Sequence, residues 1–249
     1  GGRGQGAGGE GGGADGQLGA WRPSTGEFLT DLATPPPSDD GHPTAHEHGA
    51  PVASVSADGH TAFVAAADAI LRYDLADGTL SRALPLKGAQ VQALAAAPDG
   101  HAILVANRYG AAAWVYDFDA NRVLRTVPAA REVTSATFSR DGRSVAIGDE
   151  SGGVTVASLT DGTDRTFVGL DQATRGVAIT EHDVVGLGRD GTVAVWARDA
   201  GTARLRIITN VQNGRLAVSP EAGLAAVASE TQVQLYALAD GRLGDTIDL

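Results

Sequence analysis

The sequence predicts an all-β chain built from stacked copies of one four-stranded antiparallel unit, and two rulers laid along it carry that prediction. The first is a recurring phrase. Residues 189–201 read RDGTVAVWARDAG: an Asp-Gly turn, a short alternating strand ending in Trp196, and a second polar turn. Copies lie at 15–26, 69–78, 111–121, 153–162 and 232–241, which aligns Trp21, Tyr73, Tyr116, Ala157, Trp196 and Tyr236. Beyond the first interval these fall roughly 40 residues apart, the period of a four-stranded propeller blade. The second ruler is a turn followed by an apolar run rich in small residues. The turns are Asp58-Gly59, Asp99-Gly100, Asp141-Gly142, Glu181-His182-Asp183 and Glu221-Ala222-Gly223. The runs are 62–68, 102–108, 144–150, 183–190 and 224–230; they are too short for ordinary helices and apolar enough for strands buried on both faces. Such a sheet cannot bury both faces alone, so copies must stack. Radial stacking leaves only short, protected edges, and the expected fold class is a β-propeller.

Each unit reads as four antiparallel strands, a to d from the axis outward. In the unit at 131–171, strand a falls near 133–138, b near 144–147, c near 154–158 and d near 163–168. Asp-Gly suits the tight turns because Gly accepts positive φ and Asp can bond its own backbone. Five full blades follow, at about 51–88, 89–130, 131–171, 172–211 and 212–249. Ahead of them, residues 1–13 (GGRGQGAGGEGGG) form a Gly-rich flexible segment. Residues 14–33 supply only strands c and d, a half-blade, and 34–50 form a Pro/His-rich insertion loop. The chain starts at Gly1 and has no methionine. It reads as a piece of a longer polypeptide, with six or seven blades in the intact protein and additional domains beside them.

The segments Ser139-Arg140-Asp141-Gly142 and Asp190-Gly191-Thr192-Val193-Ala194-Val195-Trp196, and closing turns such as Asp74-Leu75-Ala76-Asp77-Gly78, resemble the WD40 repeat family. The resemblance covers roughly 14–249 apart from the insertion. It departs at the Trp-Asp pair, which here is Trp21-Arg22, Tyr73-Asp74, Tyr116-Asp117, Ala157-Ser158, Trp196-Ala197 and Tyr236-Ala237. The Gly-His pair that opens family repeats is mostly missing, so the family's Asp–His–Ser–Trp hydrogen-bond network is not expected to be complete. The resemblance implies a ring that presents loops to a partner, in a bacterial regulatory or signalling protein beside kinase, protease or NTPase regions. It says little about activity.

Composition narrows the partners. The formal net charge of −11, from 19 basic and 30 acidic residues, argues against sequence-independent binding to nucleic acid or anionic lipid, which needs clustered Lys and Arg. There is no cysteine, hence no disulfide framework and no thiolate metal site. No apolar run approaches the ~20 residues of a membrane helix. With no signal peptide visible, the expected compartment is cytoplasmic. Heavy Ala, Gly, Arg and Asp usage points to a GC-rich bacterial genome.

Several short matches to chemical motifs have plainer readings. Residues 186–191 satisfy GxGxxG, but a strand follows where dinucleotide binding needs a helix. Residues 148–153 resemble a protease nucleophile motif with an extra Glu, and no paired His and Asp accompany it. Asp117, Asp119 and Asn121 open like a calcium loop, but Arg122 stands where Gly is needed. His42, His46 and His48, with Asp39, Asp40 and Glu47, are candidate Zn or Ni ligands; the competing reading is a solvated loop with no regular element to hold them. No cofactor is expected.

The aligned aromatics Tyr73, Tyr116, Trp196 and Tyr236 read as packing between blades. Arg108-Tyr109 differs, lying in a b–c connection on the face that WD40 proteins use most for partners. Arg131, Arg175 and Arg189 fall near the same face by register, on a rim otherwise acidic at Asp68, Asp149, Glu150, Asp190 and Glu230. An Arg-plus-Tyr cluster suits a protein or peptide hot spot; the competing reading is ordinary solvated loop. The favoured function is therefore a non-catalytic interaction scaffold for a protein or peptide ligand. The alternative is a propeller enzyme of lactonase or quinoprotein-like type with a site in the central channel. The strand-a segments VASVS, VQALAAA, VTSATFS, RGVAIT and RLAVS lack the converging carboxylates and His that such a site needs.

Overall fold

A computed structural model describes residues 18–22, 27–32, 52–66, 69–86 and 90–249. The segment 1–13 and the insertion 34–50, including His42, His46 and His48, lie outside the described residues, as does Asp68. Strands β1 (Leu18–Arg22) and β2 (Glu27–Leu32) pair as an antiparallel hairpin, where the half-blade is expected.

Five four-stranded antiparallel sheets follow, and no helix occurs among the described residues. The first holds β3 (Ala53–Val55), β4 (Thr61–Ala65), β5 (Ala69–Asp74) and β6 (Leu80–Pro85). The second holds β7 (Val91–Ala96), β8 (Ala102–Asn107), β9 (Ala112–Asp117) and β10 (Arg122–Pro128). The third holds β11 (Val133–Phe138), β12 (Ser144–Asp149), β13 (Val154–Ser158) and β14 (Asp164–Phe167). The fourth holds β15 (Thr174–Ile179), β16 (Asp183–Gly188), β17 (Thr192–Ala197) and β18 (Leu205–Ile208). The fifth holds β19 (Arg215–Ser219), β20 (Leu224–Ala228), β21 (Gln232–Ala237) and β22 (Leu243–Asp248). In every sheet the strands lie in sequence order, so each is a simple meander whose strands serve as a, b, c and d.

Turn chemistry fixes these meanders. In the first and third a–b turns, the N–H groups of Thr61 and Ser144 donate to the Ser56 and Ser139 hydroxyls. Those hydroxyls in turn donate to Asp58 and Asp141. Gly59 and Gly142 then take φ values of 74° and 68°, the left-handed region open to glycine. The serine hydroxyls, and after them the N–H groups of His60 and Arg143, hold Asp58 and Asp141 below the ordinary carboxylate value. The c–d turns repeat the logic: Asp77, Asp161 and Asp240 accept the N–H groups of Thr79, Thr163 and Arg242 at 3.0 Å. The Thr163 N–H and hydroxyl lower Asp161 to about 2.

Packing between sheets is concentrated on the strand-a edges: β3 meets β7, β7 meets β11, β11 meets β15 and β15 meets β19. Small residues permit the approach, with Ala93, Ala95, Ala97, Ala106 and Ala113 all buried between the second and third sheets. Phe63 and Phe118 meet edge to face at 5.2 Å between the first and second. Val154 and Phe167 face Val184 and Trp196 between the third and fourth. Val185, Leu187 and Val193 face Ala225, Val227 and Tyr236 between the fourth and fifth. Burying one such side chain is worth about 1.5–3 kcal/mol, so these four seams carry the stability.

The outer strands are clasped differently. Arg82, Arg125 and Arg165 occupy one register position, opposite Arg72, Val115 and Val156 on the neighbouring strand c. Each guanidinium donates to a backbone carbonyl in the c–d turn of the following sheet, at Asp119, Ser158 and Asp199 respectively. In the fourth sheet Leu205 holds that position and joins the apolar seam instead. Among the described residues, the far face of the fifth sheet has no such cover: Arg215, Ala217 and Ser219 are exposed and all of β22 is exposed.

Candidate functional site

Antiparallel order sends every b–c turn and d–a connection to one end of the strands, and every a–b and c–d turn to the other. Arg108, Tyr109, Arg131, Arg175 and Arg189 all lie at the first end. In the third and fourth sheets the b–c turn closes with the N–H of Gly152 on the Asp149 carbonyl and of Gly191 on that of Gly188. The left-handed residue is the donor glycine itself, with φ of 85° and 87°.

The second sheet departs from this. Its b–c turn closes from the Gly110 N–H to the Asn107 carbonyl at 3.0 Å, yet the left-handed residue falls one place earlier, on Tyr109, with φ of 63°. That is where a type II turn asks for Gly or Asn. A tyrosine there is strained by about 1–3 kcal/mol. Its ring is not buried in return: Tyr109 is 75% exposed, and the Arg108 guanidinium stacks over it at 5.1 Å. The strain thus lifts an aromatic face and a cation together off the rim.

Arg131 stands on the connection between β10 and β11. The connection that carries it is fastened to the same turn, with Ala129 and Val133 donating to the carbonyls of Ala111 and Gly110, both at 2.9 Å. Arg175 and Arg189 sit apart. Arg175 donates to Asn213 at 3.2 Å and Arg189 is 3.8 Å from Glu150. Among the described residues, no hydrogen bond or ion pair joins them to Arg108 or Tyr109. The rim acids divide similarly. Asp149 is buried, taking the N–H groups of Ser151 and Gly153 at 2.8 and 3.0 Å and that of Ala130 at 3.2 Å. It is part of the scaffold, whereas Glu150 and Glu230 are exposed.

The chemical-motif matches resolve locally. Residues 186–191 run from β16 into a turn and then β17, with no helix for a pyrophosphate. Residues 148–153 run from the end of β12 through the turn before β13. Asp117 accepts the N–H groups of Asp119 and Ala120 within a c–d turn. Among the described residues, no three His, Asp or Glu side chains gather as metal ligands. No described helix is long and apolar enough to cross a membrane.

At the other end a cavity opens between the outer strands of the first sheet and the c–d turn of the second. Arg72 and Arg82 project into it, and Arg72 reaches Asp119 at 2.5 Å. The motif reading passed over it because neither arginine belongs to a motif. The available signal was the register itself, since Arg72 stands where the following sheets have Val115, Val156, Val195 and Leu235. Comparison of the chain with protein-family models and with curated proteins gives no match.

Proposed function

We propose that this chain is a non-catalytic interaction module of WD40-like type, its five sheets being blades of a ring that offers its b–c and d–a rim to a protein or peptide. The observation that carries the reading is Tyr109: a strained backbone holding an exposed aromatic ring under an arginine. Tyr and Arg dominate binding hot spots because they give large contact areas with few rotors and many donors. Ring curvature has its own support. Arg140, in the a–b turn of the third sheet, pairs with Glu221 in that of the fifth, reaching past the fourth. Sheets stacked in a straight line about 10 Å apart would hold those turns about 20 Å from each other. The open far face of the fifth sheet is apolar where half-buried, at Leu224, Ala226, Val233 and Leu235, and suits a further blade.

The test is a peptide library displayed on phage and selected on the wild-type protein, with each enriched peptide then measured against Arg108→Ala/Tyr109→Gly. Glycine is the right replacement because it relieves the positive φ that alanine would keep. The variant should lose about tenfold or more in affinity while melting at the wild-type temperature or above. Unchanged affinity, or a melting temperature that falls with the binding, would overturn the assignment of Arg108 and Tyr109 to the partner.

A further inference from the structure

We propose that the cavity between the outer strands of the first sheet and the c–d turn of the second is an oxyanion site, taking a carboxylate or phosphate group on Arg72 and Arg82. The cavity measures ≈ 340 Å³, and its polar lining includes His60, Thr61, Arg72, Ser81, Arg82 and Asp119. It lies at the a–b and c–d end, away from Tyr109, and stands independently of the rim.

The repeat makes the cavity stand out. Arg82 is one of the clasps described above, and its cross-strand partner in the next three sheets is Val115, Val156 or Val195 at the same register. Only the first of these four sheets puts an arginine there, directly opposite Arg82. Like charges directly opposite across a ladder are destabilising. A valine would have closed the seam, so the exchange trades apolar packing for a pair of guanidinium groups around an open space.

The neighbouring acids do not saturate that pair. Asp119 gives one oxygen to Arg72 at 2.5 Å and the other to His101. Burial pushes the Asp119 carboxyl up, but the hydrogen bonds from His101 and Arg72 outweigh it and hold the group below the ordinary value. Asp74 also lines the cavity, and it accepts the Ala76 N–H at 2.8 Å within its own turn. Arg82 donates to the Asp119 carbonyl at 3.0 Å and lies over the Phe118 ring at 5.8 Å. Among the described residues, each guanidinium thus commits one N–H, of the five it carries. The Arg72 side chain is only 20% exposed, so its remaining donors sit where water competes less. Two planar forks side by side match the paired oxygens of a carboxylate or phosphate.

The test uses the whole chain with ¹⁵N-labelled arginine, following the Nε–H resonances of Arg72 and Arg82 during titration. Sodium acetate and inorganic phosphate form the two arms, each at constant ionic strength against chloride. Saturable shifts at both resonances are expected, and the arm that saturates at lower concentration identifies which group the site prefers. Arg72→Val, which restores the residue of the second, third and fourth sheets, should weaken that binding by about tenfold or more. Arg72→Gln, which keeps a polar side chain, serves where the valine variant is not folded. No saturation with either anion in the wild type overturns the proposal, as does saturation that survives unchanged in a folded Arg72 variant.

Discussion

Replacing Trp196 by alanine is expected to destabilise the protein by about 3–5 kcal/mol, the range for removing a large aromatic from a packed core. Its side chain is fully buried in the seam between the third and fourth sheets, where its ring lies 5.9 Å from that of Phe167. The indole N–H donates to the Val168 carbonyl at 2.8 Å, tying the outer end of the third sheet to the fourth. Gly186 makes the room: a Cβ there would come within 3.0 Å of the indole ring. The truncation therefore opens a cavity bounded by two sheets that are held apart by their own hydrogen-bonded ladders and cannot collapse into it. Against a total stability of about 5–15 kcal/mol, that loss takes a large share. Equilibrium urea unfolding of wild type and variant measures it; a loss below about 1 kcal/mol would mean that Trp196 is not a keystone of the seam.

The second large effect is expected at Gly191. Its φ of 87° is unfavourable for any side chain, and an added Cβ would lie 2.4 Å from the Val211 carbonyl and 2.8 Å from the Thr209 hydroxyl. Neither neighbour is free to retreat. Thr209 donates its hydroxyl to the Gly191 carbonyl at 2.8 Å, and Val211 leads into the turn before β19. Gly191→Ala should cost about 2–4 kcal/mol, the backbone strain and the overpacking together. Gly162 separates the two terms. It has a φ of 77° but nothing within 4 Å of an added Cβ. Gly162→Ala should therefore cost only the strain, about 1–2 kcal/mol. Equal losses in the two variants would show that the close approach of the b–c turn to the connection between β18 and β19 is not what constrains Gly191.

These two positions also mark what could be read from sequence. Trp196 and its aligned aromatics were legible because the repeat places a large residue at the end of strand c in four of the five sheets, the third having Ala157. Tyr73, Trp196 and Tyr236 are buried there, while Tyr116 is half-buried with its hydroxyl on Asn121. Asp-Gly turns were legible because few residues tolerate positive φ, and Gly59, Gly100 and Gly142 adopt it. Strand limits followed from the same punctuation, with β11 and β13 spanning the residues expected of them.

The rest depended on geometry that local pattern does not encode. A b–c turn looks much the same in sequence whether its left-handed residue is the closing Gly or the residue before it. The shift onto Tyr109 therefore needed backbone angles. The split of the rim arginines into two groups came from partners across sheets, Asn213 for Arg175 and Glu150 for Arg189. The Arg72 cavity was visible in principle. Aligning the units on Trp196 sets Arg72 against Val115, Val156 and Val195, and an arginine in a valine column signals a broken seam.

The central claim is that the sheets fan about an axis instead of stacking in a line. Because the chain has no cysteine, single spin labels can be placed without background. Leu80, Asp164 and Leu243 hold equivalent outer positions in the first, third and fifth sheets, opposite Tyr73, Ala157 and Tyr236. Pulsed electron double resonance on Leu80→Cys/Asp164→Cys and Leu80→Cys/Leu243→Cys then gives two distances to compare. A ring of six or seven blades predicts a first-to-fifth separation about equal to, or only slightly longer than, the first-to-third. A first-to-fifth separation about twice the first-to-third is what a straight stack gives, and it would contradict the account.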